Sequence, residues 1–167
     1  RDEGFFNTFP VRKMAIPVNL ETVRKNGTVN DRDSVLSEVR FEIPKSGLAK
    51  NDLALLNIIA ANEWKRPIYF TNPGSDLGLD PYIRRDGLTY RLVPVKGSEI
   101  NTNYVQDKLM NKFVFGNADK QGVYFDEENR RHLNSIRYSM AEIALALAVE
   151  GKKDSARQLL KKIDDVT

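Results

Sequence analysis

The sequence predicts an α/β fold: a small layered sheet with a βαβ unit, followed by a C-terminal antiparallel helix pair of tetratricopeptide-like form. Three observations predict it. Apolar and polar residues alternate in "VLSEVRFEI" from Val35 to Ile43. A helical stripe in "NDLALLNIIAANEW" runs into the β-rich "PIYFT". "LNSIRYSMAEIALALAVEGKKDSARQLLKKI" carries apolar residues at helical spacing on both sides of a glycine.

The elements follow in order. The opening "FFNTFPVRKMAIPVNLETV" contains Pro10 and Pro17, which disfavour a central strand, and it reads as an extended edge segment. Asn26 to Thr28 is a turn signal. Val39, Phe41 and Ile43 share one face of a half-buried strand closed by Pro44. A helix capped by Asn51 or Asp52 then carries Leu55, Leu56, Ile58 and Ile59, and Pro67 ends it. "PIYFT" fits a strand buried on both faces. Strand, helix and strand in this order predict a right-handed βαβ crossover.

"LGLDPYIRRDG" reads as a short helix ending at Gly87, and "LTYRLVPV" as another strand. A helix capped by Asn101 or Asn103 closes at Gly116. Residues 117–128 form a polar connection in which Glu127 and Glu128 suit a helix N-terminus. Leu133, Ile136, Met140, Ile143 and Leu147 then share one helix face. Gly151 breaks that helix, Asp154 caps the next, and Ala156, Leu159, Leu160 and Ile163 form a stripe expected to seek a further partner. The expected organisation is an α/β domain over 1–116, a connection over 117–128 and a helical hairpin over 129–167 that begins a repeat array. The chain opens without methionine and stops within a helical pattern, which suggests a piece of something longer.

Composition narrows the chemistry. Lys and Arg number 26 against 23 Asp and Glu, and the signs are interspersed. No extended basic stripe forms, so nucleic-acid binding is not expected. Without cysteine, disulfides, thiolate zinc sites and cysteine nucleophiles are excluded. No apolar run is long enough to span a bilayer. The glycines form neither a dinucleotide nor a phosphate-loop pattern, and no cofactor or metal is expected.

The candidate binding residues fall in three places. Trp64, Lys65 and Arg66 join the sole tryptophan to two cations at a strand entrance. Packing of Trp64 on the sheet, with the cations solvated, is the favoured reading, because ligands of open α/β sheets gather at the other end of the strands. Asn72, Ser75 and Asp76 lie in the loop at that other end. Tyr82 with Arg84 and Arg85 sets an aromatic beside cations, suited to a sugar face or an anionic group. His132 is the single histidine and reads as a solvated or capping residue, since no partner for acid-base work is evident. Asp126 to Glu128 read as helix-start anions rather than a glycosidase pair.

Several blocks in a fixed order carry a family resemblance: "NIIAANEWKRPIYF", "LGLDPYIRRDGLTYRLVPV", "LMNKFVFGN" with "GVYFDEENRRHLNSIR", and "LALAVEGKKDSARQLL". Together they resemble the soluble C-terminal region of a Bacteroidetes family of multi-spanning membrane proteins of formerly unknown function. The membrane part of that family looks like protein O-mannosyltransferases and related glycosyltransferases. The resemblance implies a periplasmic domain tethered to the membrane-embedded part of the same polypeptide and followed by helical repeats. The family's catalytic carboxylate belongs to the membrane region, so no catalytic residue carries over. The expected function is a non-catalytic accessory domain that binds an acceptor protein, a glycan or its own chain. The alternatives are a small hydrolase or transferase working through Asn72 to Asp76, and a structural spacer.

Overall fold

A computed structural model describes residues 5–6, 11–31, 33–72, 77–97 and 100–165 of the chain. The α/β class holds, with a C-terminal helix pair. The chain divides into two compact units, one of residues 1–85 and 89–99, the other of 86–88 and 100–167.

The first unit holds small antiparallel sheets. Strands β1 (Phe5–Phe6), β2 (Lys13–Pro17) and β3 (Glu38–Glu42) are joined by helix α1 (Leu20–Lys25) between β2 and β3. β2 pairs β3 with Met14 opposite Phe41 and Ile16 opposite Val39. Alternation in β3 matches expectation: Val39 and Phe41 are buried while Arg40 and Glu42 face water. Helix α1 was missed beneath the prolines. Its signal is Asn19, whose side chain accepts the Thr22 N–H at 3.0 Å.

β4 (Leu48–Ala49) pairs β1 and runs into helix α2 (Lys50–Asn62). The expected cap residues sit inside this helix. Ala49 holds the N-cap position, and Asp52 reaches back from the first turn to accept the Ala49 N–H at 3.0 Å. The helix ends ahead of Pro67, in two left-handed residues, Glu63 (φ 47°) and Trp64 (φ 61°).

Strand β5 (Tyr69–Phe70), a 3-10 turn (Asp80–Tyr82), β6 (Ile83–Asp86) and β7 (Thr89–Leu92) complete the unit. Three expectations are corrected here. "IRRD" is a strand and not the end of a helix; the Asp86-Gly87 pair closes a two-residue hairpin whose first turn position, Gly87, takes φ +74°. β5 is a short edge with Tyr69 46% exposed, not a strand buried on both faces. β5 pairs antiparallel with β7, and β3 pairs β2, so the expected parallel crossover between β3 and β5 does not form. Element order specifies the elements but not their neighbours, and the hairpin gives β5 an edge closer in sequence than β3. The core gathers Val23, Val39, Ile43, Leu79, Leu92 and Trp64.

The second unit is helical: α3 (Thr102–Asn111), α4 (Glu127–Val149) and α5 (Lys153–Asp165). Asn101 caps α3, and Asp126 caps α4 with Glu127 and Glu128 in its first turn. α3 ends at Asn111, short of Gly116. Gly151 (φ +80°) breaks α4 from α5, and Asp154 lies in the first turn of α5 rather than capping it. α3 packs on both α4 and α5. The buried set joins Val105 and Leu109 to Met140, Ile143 and Leu147, and to Ala156, Leu159 and Ile163. The α5 stripe expected to be unpartnered is thus largely covered, leaving Leu160 47% exposed.

Candidate functional site

In the first unit Trp64, Tyr82 and Arg84 serve the frame. Trp64 is 5% exposed, and its indole N–H donates to the Pro17 carbonyl at 2.9 Å. Its own carbonyl accepts from the Asn26 amide at 2.5 Å. The ring therefore offers no face to a ligand, while Lys65 and Arg66 point to solvent and Lys65 pairs with Glu63 at 2.5 Å. The three residues do not share a surface.

Tyr82 is buried, with its hydroxyl on the Arg40 carbonyl at 2.7 Å. Arg84 is 5% exposed and meets Asp33 at 2.9 Å, also reaching the Thr28 carbonyl at 3.4 Å. From the next strand the buried Arg91 donates to the Gly27 carbonyl and lies 4.9 Å from the Tyr69 ring centre. Two hairpin arginines thus clamp the Asn26–Thr28 turn, a job that the charge pattern alone does not announce. Arg85 is half-buried over Tyr90, 4.8 Å from its ring centre, and donates to its hydroxyl. Asn72 is exposed, and Ser75 and Asp76 lie outside the described residues.

His132 stands on α4 in the second unit, exposed and 3.4 Å from Glu128 one turn earlier. Among the described residues no group of three His, Cys, Asp or Glu could hold a metal ion. Among the described residues no helix is long and apolar enough to cross a membrane.

Two features of α4 escaped the sequence reading. The first is a second apolar face. Tyr138, Leu145 and Val149 are 76%, 66% and 81% exposed, and Ala141 and Ala148 lie between them, also exposed. The spacing 138, 141, 145, 148 is that of a helix-packing seam. Its large residues, Tyr138, Leu145 and Val149, were overlooked because the buried stripe of the same helix already accounted for its periodicity, although Ala141 and Ala148 are readable as small residues that allow close helix approach.

The second is a cavity of about 510 Å³ between the start of α4 and the 118–125 loop. Arg130, Asn134 and Arg137 enter it from α4 at i, i+4 and i+7, and Lys120, Tyr124 and Phe125 from the loop. Left-handed Gly116, Asn117 and Gly122 turn this loop back on itself. No carboxylate lines the cavity. Of the acids nearby, Glu127 pairs with Arg131, Glu128 lies 3.4 Å from His132 and Asp126 caps the helix, while Asp119 is exposed on the loop outside the lining. The local charge sum conceals this separation, since "DEENRRH" looks balanced in one dimension. Two other concavities differ in charge. One, along β2 and β3, mixes Lys13 and Arg40 with Glu38 and Glu42. The other, beside α1, has the paired Glu63 and Lys65 at its wall.

No match was found among curated proteins or among solved structures. The family profile of TMEM260-associated domain 2 matches residues 1–110 of the 167, spanning the whole first unit and most of α3. The chain belongs to the TMEM260-associated domain 2 family.

Proposed function

We propose that the chain is a non-catalytic, extracytoplasmic accessory domain of a glycosyltransferase-like membrane protein, and that it holds a helix of its own polypeptide. The observation that carries this reading is the outer face of α4. A soluble helix face with exposed Tyr138, Leu145 and Val149 is costly to leave in water, and such faces mark interaction sites. Tyr138 and Leu145 stand as knobs, and Ala141 and Ala148 leave gaps at the alternating positions. A helix with its own large and small residues in the opposite phase fits that surface. Family membership supports the membrane setting. The helical repeats implied by the resemblance supply an occupant of the right kind.

The test is titration of the isotope-labelled chain with the remaining soluble segments of the same polypeptide, followed by NMR. Shifts confined to residues 138–149, abolished by Leu145→Glu, are expected. Self-association through the same residues would instead make the occupant a second copy. Unshifted signals with every segment would end the proposal. Topology reporters fused next to this region of the full-length protein test the compartment; a cytoplasmic signal would refute that part.

A further inference from the structure

We propose that the cavity between the 118–125 loop and α4 is a binding site for a small molecule that carries a phosphate-type oxyanion beside a sugar or base ring able to stack. This goes beyond the interaction role of the α4 outer face and stands on different residues. Lys120, Arg130 and Arg137 line one concavity that has no carboxylate in its wall. None of the three has an ion-pair partner among the described residues; Arg137 is half-buried, while Lys120 and Arg130 are exposed and Arg130 also donates to the Asp126 carbonyl at 3.4 Å. Gathering like charges in one recess is unfavourable unless an anion offsets it. Guanidinium forks match the paired oxygens of a phosphate, and the Asn134 carboxamide adds a neutral donor.

The remaining lining sets the rest of the ligand. Tyr124 is 83% exposed on the loop, with Val123 on one side and the half-buried Phe125 on the other. An exposed ring beside cations provides a stacking surface for a sugar or base. The volume lies within the range of pockets that take small organic ligands. Reactive groups are lacking in the lining, so the site recognises and does not transform: no nucleophile with a base and no pair of carboxylates faces it. The shared chemistry of a free phosphomonoester and a phospholipid headgroup satisfies the same cations.

The experiment separates those sources. The labelled chain is titrated with inorganic phosphate, glucose 6-phosphate and glucose, with detection at the Arg130 and Arg137 Nε–H signals and the Gly122 amide. Co-sedimentation is run with phosphatidylcholine vesicles with and without phosphatidic acid. Glucose 6-phosphate is expected to bind more tightly than phosphate, and glucose to leave the signals unmoved. Arg137→Ala should weaken binding about tenfold, and Arg137→Lys less, because a single bidentate contact is at stake. Binding only to phosphatidic acid vesicles would uphold the oxyanion part with a lipid headgroup as its source and overturn the ring-stacking part. Three results would overturn it: no response to any phosphorylated probe, equal response to glucose, or undiminished binding by an Arg130→Ala/Arg137→Ala variant with native circular dichroism.

Discussion

Asp52 is 6% exposed, and its carboxylate accepts the Ala49 N–H and pairs with the Lys45 ammonium at 3.1 Å. The amide hydrogen bond first, and Lys45 with it, outweigh burial and hold this carboxyl below the ordinary aspartate range. The folded value lies under the unfolded one, so the stabilisation is complete above about pH 4. It is lost as pH falls through the lowered folded value. Asp52→Ala is expected to cost about 1–2 kcal/mol at neutral pH and little in acid, as read by urea unfolding at both. The residue was legible as a helix-start acid, but not its place three positions inside the cap, because spacing alone does not fix where β4 ends. Gly78 is the sharper case. It has φ +80°, and a Cβ there would come 2.1 Å from the Glu42 carbonyl oxygen, whereas Gly87 has open space around it. Gly78→Ala is expected to cost about 3 kcal/mol or more, against about 1 kcal/mol for Gly87→Ala, by the same unfolding measurement.

α4 presents one apolar stripe to the second core and another to solvent, and the two respond oppositely to truncation. Leu147 is fully buried, so Leu147→Ala is expected to destabilise by about 3 kcal/mol. Leu145 is 66% exposed, and Leu145→Ala should stay within about 0.5 kcal/mol in the same chemical unfolding series. The inner stripe was readable because Met140, Ile143 and Leu147 repeat at helical spacing. The outer stripe was hidden by its neighbour, since a helix apolar on two sides has little net direction to its periodicity. The hairpin of β6 and β7 was hidden differently. Its Asp86-Gly87 turn is a strong signal, but Arg84 and Arg85 break the apolar alternation, and Arg84 enters the interior only because Asp33 waits there. Long-range ion pairs of this kind leave no trace in local pattern. At the end of α4, burial would raise the Glu150 carboxyl, but the Lys152 ammonium and the Thr102 hydroxyl outweigh it and hold the group low. The same hydroxyl donates at 2.7 Å, tying the start of α3 to the turn between α4 and α5.

At the scale of the molecule, the mixed class and the terminal helix pair were legible, while the strand pairing was not. Antiparallel neighbours are decided by which edges remain open after each short turn closes. The candidate sites were legible in the reverse sense. Residues that look reactive in one dimension, Trp64, Tyr82 and Arg84, spend their polar atoms on backbone carbonyls and on Asp33. The cations without a carboxylate partner among the described residues, Arg130 and Arg137, sit in a stretch that looks neutral. Two separate apolar cores mean that each unit has its own means of stability. The sole tryptophan belongs to one of them, sealed against Pro17. Fluorescence from that indole is consequently a one-sided witness: on heating it should follow the sheet-bearing half, while far-ultraviolet dichroism follows chiefly the helices of the other. Leu147→Ala is expected to move the dichroic midpoint and leave the emission midpoint in place. Coincident movement of both would reveal one cooperative body where the packing describes two.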